Sequence, residues 1–76
     1  MESQVELKMN IGEAAKKSNL PIKTVRFYSD IGLINPKTNE TSNYRIFTNQ
    51  DIEKLLFVGL ARMFFFSIEE CRELLC

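Results

Sequence analysis

The sequence predicts a mainly α-helical domain with a small β-hairpin, arranged as a winged helix-turn-helix plus two further helices. Three observations indicate this fold class. Two short helical segments flank a break at Pro21, two β-prone runs follow Gly32, and two helix-start motifs occupy the C-terminal third. In winged helices the second helix of such a pair enters the major groove of DNA, and the hairpin lies beside it.

Composition narrows the classes of function that the chain can have. The 76 residues include ten basic and ten acidic side chains, two cysteines and no histidine, so the formal net charge is zero. A chain of this length forms one domain at most. No apolar run approaches the roughly 20 residues that span a bilayer. We therefore expect a cytoplasmic protein without a membrane partner. With no histidine, no nucleophile beside an evident base and no phosphate-binding glycine loop, neither an enzyme nor a cofactor is expected.

The N-terminal part is predicted to contain a leader and the first helix. Residues 1 to 8 are expected to be flexible and residues 9 to 76 to form the domain, with a short strand where the two meet. Helix 1 is predicted over residues 11 to 18. Asn10 can cap it, and Glu13 follows three residues later, the spacing of a capping box.

Helix 2 is predicted from Pro21 to Asp30. Proline is tolerated in a first helical turn, where its missing N–H would have no helical partner. Gly32 supplies the left-handed backbone position at which helices often end. The β-prone runs "LINP" and "YRIF" are separated by the turn-forming "KTNETSN", which predicts a hairpin with strands over residues 33 to 36 and 44 to 47.

Two more helices are predicted after the hairpin. Thr48 is the expected cap of helix 3, with Asp51 at the third helical position. Ser67 and Glu70 form an S-x-x-E capping box, which predicts the start of helix 4. The wide apolar face predicted for helix 3 comprises Ile52, Leu55, Leu56, Val58 and Leu60.

The two cysteines, Cys71 and Cys76, are predicted to be packed or exposed thiols. They lie five residues apart in a helical segment, which separates them by about 140° around the axis. That geometry suits neither a chelate nor a disulfide. Because the chain also lacks histidine, no metal site is predicted.

Basic and aromatic residues mark a candidate nucleic-acid surface. Lys23 and Arg26 share one face of helix 2, and Tyr44 and Arg45 lie together on the second strand of the hairpin. Arginine can contact a base edge or hold a phosphate, and a tyrosine hydroxyl can reach phosphate oxygens. The alternative is a solvated surface, or an ion pair with Asp30. The residues alone leave both interpretations open.

The segment from Met9 to Leu75 resembles the DNA-binding domain of the MerR family of bacterial transcription regulators, and its metal-responsive members most. The resemblance rests on four motifs in the family's order, "TVRFY", "DIGL", "NYRIFT" and "SIEE". The resemblance implies double-stranded operator or promoter DNA as the ligand, homodimers in longer parent proteins, and RNA polymerase as an indirect partner. It also implies that Tyr28 either supports the core or contacts the DNA backbone. The implied DNA contacts are Lys23, Thr24, Arg26 and Phe27 in the major groove, and Tyr44, Arg45 and Arg62 at phosphates.

The chain also departs from the family pattern. Helix 3 has Leu56, Gly59 and Leu60 where members usually carry basic residues, and Phe65 stands where a glycine is usual. The metal-binding cysteines and the long dimer helix of the family lie beyond the matched segment. We therefore expect a largely monomeric chain, unless the turn at Phe64–Phe66 exposes enough apolar surface for self-association. Two alternatives remain: an excisionase-like architectural DNA-binding protein, and a protein-interaction module that retains the fold.

Overall fold

The computed structural model describes residues 8 to 75. Over this range the chain forms four helices and one two-stranded antiparallel hairpin, which confirms the predicted mainly α fold with a small hairpin. Of the predicted leader, all but Lys8 lies outside the described residues. The elements are α1 (Ile11–Ser18), α2 (Ile22–Asp30), β1 (Lys37–Thr38), β2 (Arg45–Ile46), α3 (Asn49–Met63) and α4 (Ile68–Leu75).

Helix α1 has the predicted bounds because its ends are determined locally. The Asn10 side chain accepts a hydrogen bond from the Glu13 N–H at 2.8 Å, and the Asn10 N–H donates to the Glu13 carboxylate at 2.9 Å. These two bonds complete the capping box. Asn19 ends the helix in the left-handed conformation, at φ 60°. Only three residues, Asn19, Leu20 and Pro21, separate α1 from α2, which makes the tight turn of a helix-turn-helix.

Helix α2 ends in a turn that directs the chain back into the core. Gly32 has a φ of 77°, the left-handed conformation predicted for it. The backbone N–H groups of Leu33 and Ile34 both donate to the Tyr28 carbonyl, at 3.0 and 3.2 Å. Both side chains are buried as a result.

The predicted position of the first hairpin strand was wrong. Strand β1 comprises Lys37–Thr38, inside the segment predicted as the loop, where Lys37 pairs with Ile46 and Thr38 with Arg45. The run "LINP" is instead irregular, with Leu33 and Ile34 buried and Asn35 exposed. Its first two N–H groups are used by the turn after α2, and Pro36 has no N–H to give to a ladder.

The strand expected near the start of the domain consists, within the described residues, of one bridge. Met9 and Phe47 exchange two backbone hydrogen bonds, of 2.9 and 2.8 Å, and both side chains are buried. This bridge joins the segment before α1 to the end of the hairpin. It therefore fixes the hairpin relative to the helix pair.

Helix α3 begins as predicted, but its apolar face differs from the prediction. The Asp51 carboxylate accepts hydrogen bonds from the Thr48 N–H at 3.0 Å and the Thr48 hydroxyl at 3.2 Å. Ile52, Leu55, Val58 and Ala61 are the apolar side chains of α3 that are buried. Leu56 and Leu60, predicted to belong to the same face, are exposed because the helical repeat places them on the opposite side.

Helix α4 begins at the predicted capping box. The Ser67 N–H donates to Glu70 at 2.8 Å, and the Glu70 N–H donates to the Ser67 hydroxyl at 3.0 Å. Arg72 ties the helix back to the end of α2 by donating to the Ile31 carbonyl at 3.2 Å. No helix in the part of the chain described here has the length and apolar character needed to cross a membrane.

One continuous core joins the elements. Its buried hydrophobic residues are Met9, Ala14, Ala15, Val25, Tyr28, Leu33, Ile34, Phe47, Ile52, Leu55, Val58, Ala61 and Cys71. Cys71 is therefore a packed thiol, as predicted, whereas Cys76 lies outside the described residues.

Candidate nucleic-acid interface

The outer face of α2 carries the predicted groove-facing residues. Lys23, Arg26 and Phe27 are exposed and fall within an arc of about 100° around the helix axis. Thr24 is half-buried at the edge of this arc, and Val25 packs into the core on the other side. The helix therefore presents two cations and one aromatic ring to solvent on a single face.

A first groove brings α2 together with the hairpin. It is lined by Asn10, Ile11, Arg26, Asn43, Tyr44 and Arg45. The arginine of α2 thus shares a groove with the two hairpin residues predicted to hold phosphates, although they are far apart in sequence. Tyr44 extends from the hairpin with 74% of its surface exposed. Asn10 and Asn43 also line this groove, although the sequence did not predict them as site residues. Asn43 has a left-handed backbone, at φ 66°, just before Tyr44.

An ion pair links the hairpin to the end of α2. The Arg45 guanidinium lies 2.6 Å from the Asp30 carboxylate, the pairing that the sequence left open as an alternative. The two side chains are 36% and 51% exposed, so solvent screens the pair and limits its stabilisation to about 1 kcal/mol or less. Arginine has five N–H donors, and this bond uses one of them. Among residues 8 to 75 the Arg45 guanidinium makes no other side-chain hydrogen bond.

A second groove lies on the other side of the α2 face, between α2 and the α3–α4 junction. Its lining residues are Lys23, Thr24, Phe27, Tyr28, Arg62 and Ile68. Arg62 donates to the Phe66 carbonyl at 2.9 Å, which holds its guanidinium at the end of α3. Lys23 and Arg62 therefore flank the same depression.

Tyr28 is a core residue that reaches the interface only at the edge of the second groove. Its exposed fraction is 6%, and its ring centroid lies 5.9 Å from that of Phe27, with the rings inclined at 50°. Of the two roles implied for Tyr28, support of the core therefore fits the structure, because Tyr28 lies three residues after Val25 on the buried side of α2. Its ring supports the exposed ring of Phe27.

The charge around these grooves differs from the charge of the whole chain. Four cations line them, Lys23, Arg26, Arg45 and Arg62, and no aspartate or glutamate among residues 8 to 75 does so. The carboxylate nearest to these cations, that of Asp30, is paired with Arg45. A zero net charge thus coexists with a locally cationic surface, which is the distribution that matters for binding DNA.

Helix α3 has no basic residue at positions 56, 59 and 60, where the family usually carries them. Gly59 lies near the helix-turn-helix, where an added Cβ would meet the Leu20 side chain at 3.6 Å, an ordinary contact distance. Leu60 lies about 200° around the axis from Arg62, away from the second groove. The implied contribution of position 60 to a phosphate-binding surface therefore does not match its place on the helix, whereas position 59 faces Leu20 in the helix-turn-helix turn.

The described residues do not fit a metal ion. Residues 8 to 75 contain no group of three cysteine, aspartate or glutamate side chains placed to hold one. The thiol of Cys71 is fully buried among apolar side chains of the core.

A helix-turn-helix with a hairpin packed beside its second helix defines the class of DNA-binding regulatory proteins. In a comparison with known protein families, residues 9 to 76 match the MerR HTH family of regulatory proteins. The chain belongs to this family, as its motifs predicted.

Relatives and solved structures support this assignment. The chain is 51% identical over 67 residues to the HTH-type transcriptional regulator HmrR of Rhizobium leguminosarum bv. viciae, covering 88% of this chain and 51% of that protein. It is 46% identical to the heavy metal-dependent transcription regulator 2 of Rhizobium meliloti, covering 88% and 46%. The transcription regulator PbrR691 of Ralstonia metallidurans, solved with lead(II), superposes with a TM-score of 0.79 at 34% identity, covering 88% and 52%. The chain spans about half the length of these relatives, and the winged helix-turn-helix fold is confirmed.

Proposed function

We propose that this chain is the DNA-binding domain of a MerR-like transcriptional regulator and that it binds operator or promoter DNA in a sequence-specific manner. The observation that carries the proposal is the exposed face of α2, flanked on both sides by grooves lined with cations and without carboxylates. An α-helix fits the major groove of B-DNA, and flanking cations then lie near the phosphates. The excisionase-like and protein-interaction alternatives are not favoured by the relatives, which are named as transcriptional regulators.

The residues of the interface have different roles in this proposal. Arg26, on the hairpin side of the α2 face, reads a base edge, since arginine makes bidentate contacts with guanine. Tyr44 and Arg45 bind phosphates on one side of the groove, and Lys23 and Arg62 bind them on the other. Thr24 and Phe27 make the closer polar and apolar contacts within the groove, with Tyr28 supporting Phe27 from the core.

The proposal extends to the longer protein in which such a domain works. There we expect a homodimer that binds two half-sites and acts on RNA polymerase indirectly, through the promoter. The domain comprises residues 9 to 76, with residues 1 to 8 as a leader. The role is regulatory and not enzymatic, and because bacterial operators lie in the nucleoid, it is exercised in the cytoplasm.

The few cations of the interface set the strength of binding. With three cationic phosphate contacts, from Lys23, Arg45 and Arg62, the slope of log K against log salt is expected to be about −3. One domain on one half-site then binds with roughly micromolar affinity or weaker at physiological salt, near the non-specific range of about 10⁻⁴ to 10⁻⁶ M.

The test compares Arg26→Ala with Arg45→Ala. Fluorescence anisotropy is measured on a duplex selected from a random-sequence library and on its scrambled counterpart. Arg26→Ala is expected to lose about 1 to 3 kcal/mol on the selected duplex and much less on the scrambled one. Arg45→Ala should weaken both alike. Lys17→Ala is the matched control, because Lys17 is an exposed cation of α1 that lines neither groove.

Two results would contradict the proposal. Equal losses on both duplexes for Arg26→Ala would remove the base-reading role of α2. Losses for Lys17→Ala as large as those for Arg45→Ala would show that general charge, and not the two grooves, attracts DNA.

A further inference from the structure

The exposed face of α2 has a hydrophobic side chain at each of its two edges. At about 100° per residue, Ile22 and Phe27 lie about 140° apart around the helix axis, with Arg26 and Lys23 between them. Ile22 is 45% exposed and Phe27 is 49% exposed. The ring of Phe27 lies against that of Tyr28. Ile22 is therefore the hydrophobic residue of this face whose place in the interior is not evident.

The core does not account for the side chain at position 22. The buried stripe of α2 is formed by Val25 and Tyr28. The half-buried hydrophobic residues that pack against the core are Ile11, Leu20, Ile31, Ile68 and Leu75. Among residues 8 to 75, Ile22 is not one of these. A β-branched residue also forms helix less readily than alanine, so Ile22 serves neither the core nor the helix, and its surface is available to a partner.

Ile22 belongs to a row of side chains, four residues apart, that leads to the hairpin. The row consists of Ile22, Arg26 and Asp30, and the Asp30 carboxylate lies 2.6 Å from the Arg45 guanidinium. Arg26 lines the groove that α2 shares with the hairpin. From the hairpin the row therefore passes the arginine proposed to read a base and ends in the first turn of α2. In helix-turn-helix proteins the N-terminal residues of the second helix contact base edges.

The charges around Ile22 indicate the chemistry of that partner. Residues 22 to 25, the first turn of α2, contain no aspartate or glutamate, and Lys23 and Arg26 are exposed on the same face. A partner that suits the two cations and the hydrophobic side chain together is an anion that also exposes small apolar groups. The major groove of DNA has both properties, since the 5-methyl group of thymine is the apolar group that a base pair presents there.

We infer that Ile22 contacts the 5-methyl group of a thymine and so makes that thymine part of the recognised sequence. The inference rests on the proposed binding of α2 in the major groove, and it adds a second base-reading residue beside Arg26. Side chains four residues apart on a helix have Cβ atoms about 5 to 6 Å apart, and successive base pairs are about 3.4 Å apart. The thymine therefore lies within about two base pairs of the base pair that Arg26 reads.

The experiment removes the methyl group from the DNA and leaves the protein unchanged. Each thymine of the selected duplex is replaced in turn by deoxyuridine, which lacks only the 5-methyl group. Binding of the 76-residue chain is measured by fluorescence anisotropy at about 50 mM salt, where the affinity is higher than at physiological salt. At one thymine, close to the base pair at which Arg26→Ala relaxes the preference, the affinity should fall about three- to fivefold, as expected for one buried methyl group.

Two protein variants assign the response to a side chain. Ile22→Ala removes the contacting group, so this variant should bind the thymine duplex and the deoxyuridine duplex equally well. Phe27→Ala is the matched control, because Phe27 is exposed to a similar extent at the other edge of the same face. It should bind more weakly overall but keep the three- to fivefold response at that thymine. Circular dichroism shows whether each variant is folded, and the deoxyuridine scan of the parent chain needs no variant.

Three outcomes would overturn the inference. The first is a parent chain that prefers the selected duplex to the scrambled one but responds to deoxyuridine at no position; DNA reading by α2 would then stand without a contact from Ile22. The second is a folded Ile22→Ala that keeps the full response, or a Phe27→Ala that loses it, since the methyl group would then be read by another side chain. The third is a parent chain without any preference for the selected duplex, which would also remove the proposed function.

Discussion

Replacing Phe65 with glycine is expected to stabilise the isolated domain while removing a large hydrophobic side chain. The left-handed backbone at φ 68° costs a residue with a Cβ roughly 1 to 2 kcal/mol. The ring is 94% exposed, so its removal loses almost no packing. Glycine adds flexibility to the unfolded chain, which offsets about 0.5 to 1 kcal/mol of the gain. The net effect is an increase of about 0.5 to 1 kcal/mol, or roughly 3 to 6 °C in Tm.

The measurement is thermal and urea unfolding at about 1 μM, where any self-association contributes least. Phe65→Ala is the first control: it removes the ring but keeps the Cβ, so most of the strain remains. Phe64→Gly is the second, because Phe64 is also exposed but has a φ of −96°. Glycine there relieves nothing and should destabilise the domain by about 0.5 to 1 kcal/mol.

The difference between the glycine and alanine variants isolates the backbone contribution. If Phe65→Gly is no more stable than Phe65→Ala, the backbone at this position is not strained and the reasoning fails. If both are clearly less stable than the parent chain, the ring contributes packing that its exposure does not indicate. An unchanged m-value, the slope of the unfolding free energy against urea concentration, would show that the unfolded state is comparable in all variants.

Three further changes test the other contacts. Asp30→Asn removes the carboxylate paired with Arg45, changing folding by no more than about 1 kcal/mol; it should tighten DNA binding without adding a phosphate contact, so the salt slope should stay near −3, and weaker binding in anisotropy titrations would contradict this. Gly59→Arg should tighten binding in the same assay and steepen the slope by up to about 0.9, whereas Leu60→Arg, on the other side of α3, should not; equal effects would refute this placement. Ser67→Ala should lower the unfolding free energy by about 1 kcal/mol in urea titrations, and a loss below about 0.3 kcal/mol would show that this cap is dispensable.

Much of the fold is predictable because helix ends depend on residues close in sequence. The capping boxes at Asn10 and Ser67 each join residues three positions apart, so they are readable without the fold. The left-handed turn at Gly32 is likewise local. The hairpin was less predictable. Its first strand was predicted at the apolar "LINP" but lies at Lys37–Thr38. The N–H groups of Leu33 and Ile34 are bonded in the turn after α2 and so are not available to a strand partner.

The candidate site divides in the same way. The spacing of Lys23 and Arg26 on one face of α2 follows from the helical repeat, and so it was visible in the sequence. The groove that brings Arg26 beside Arg45 depends on how the hairpin packs on α2, and so does the ion pair of Arg45 with Asp30. The sequence offered that pair only as one alternative, since no local rule relates residues fifteen positions apart.

The sequence by itself determined the family, the four helices and the identity of the cations, because motifs, caps and helical periodicity are local properties of the chain. Tertiary structure alone decided which side of each helix remains exposed. Tyr28 is buried in the core, whereas Leu60 is exposed on the side of α3 opposite Arg62. Phe65 is exposed to solvent in a left-handed turn. Each of these outcomes depends on which elements pack against a helix, and packing is a contact between residues distant in the sequence, as between α1 and α3.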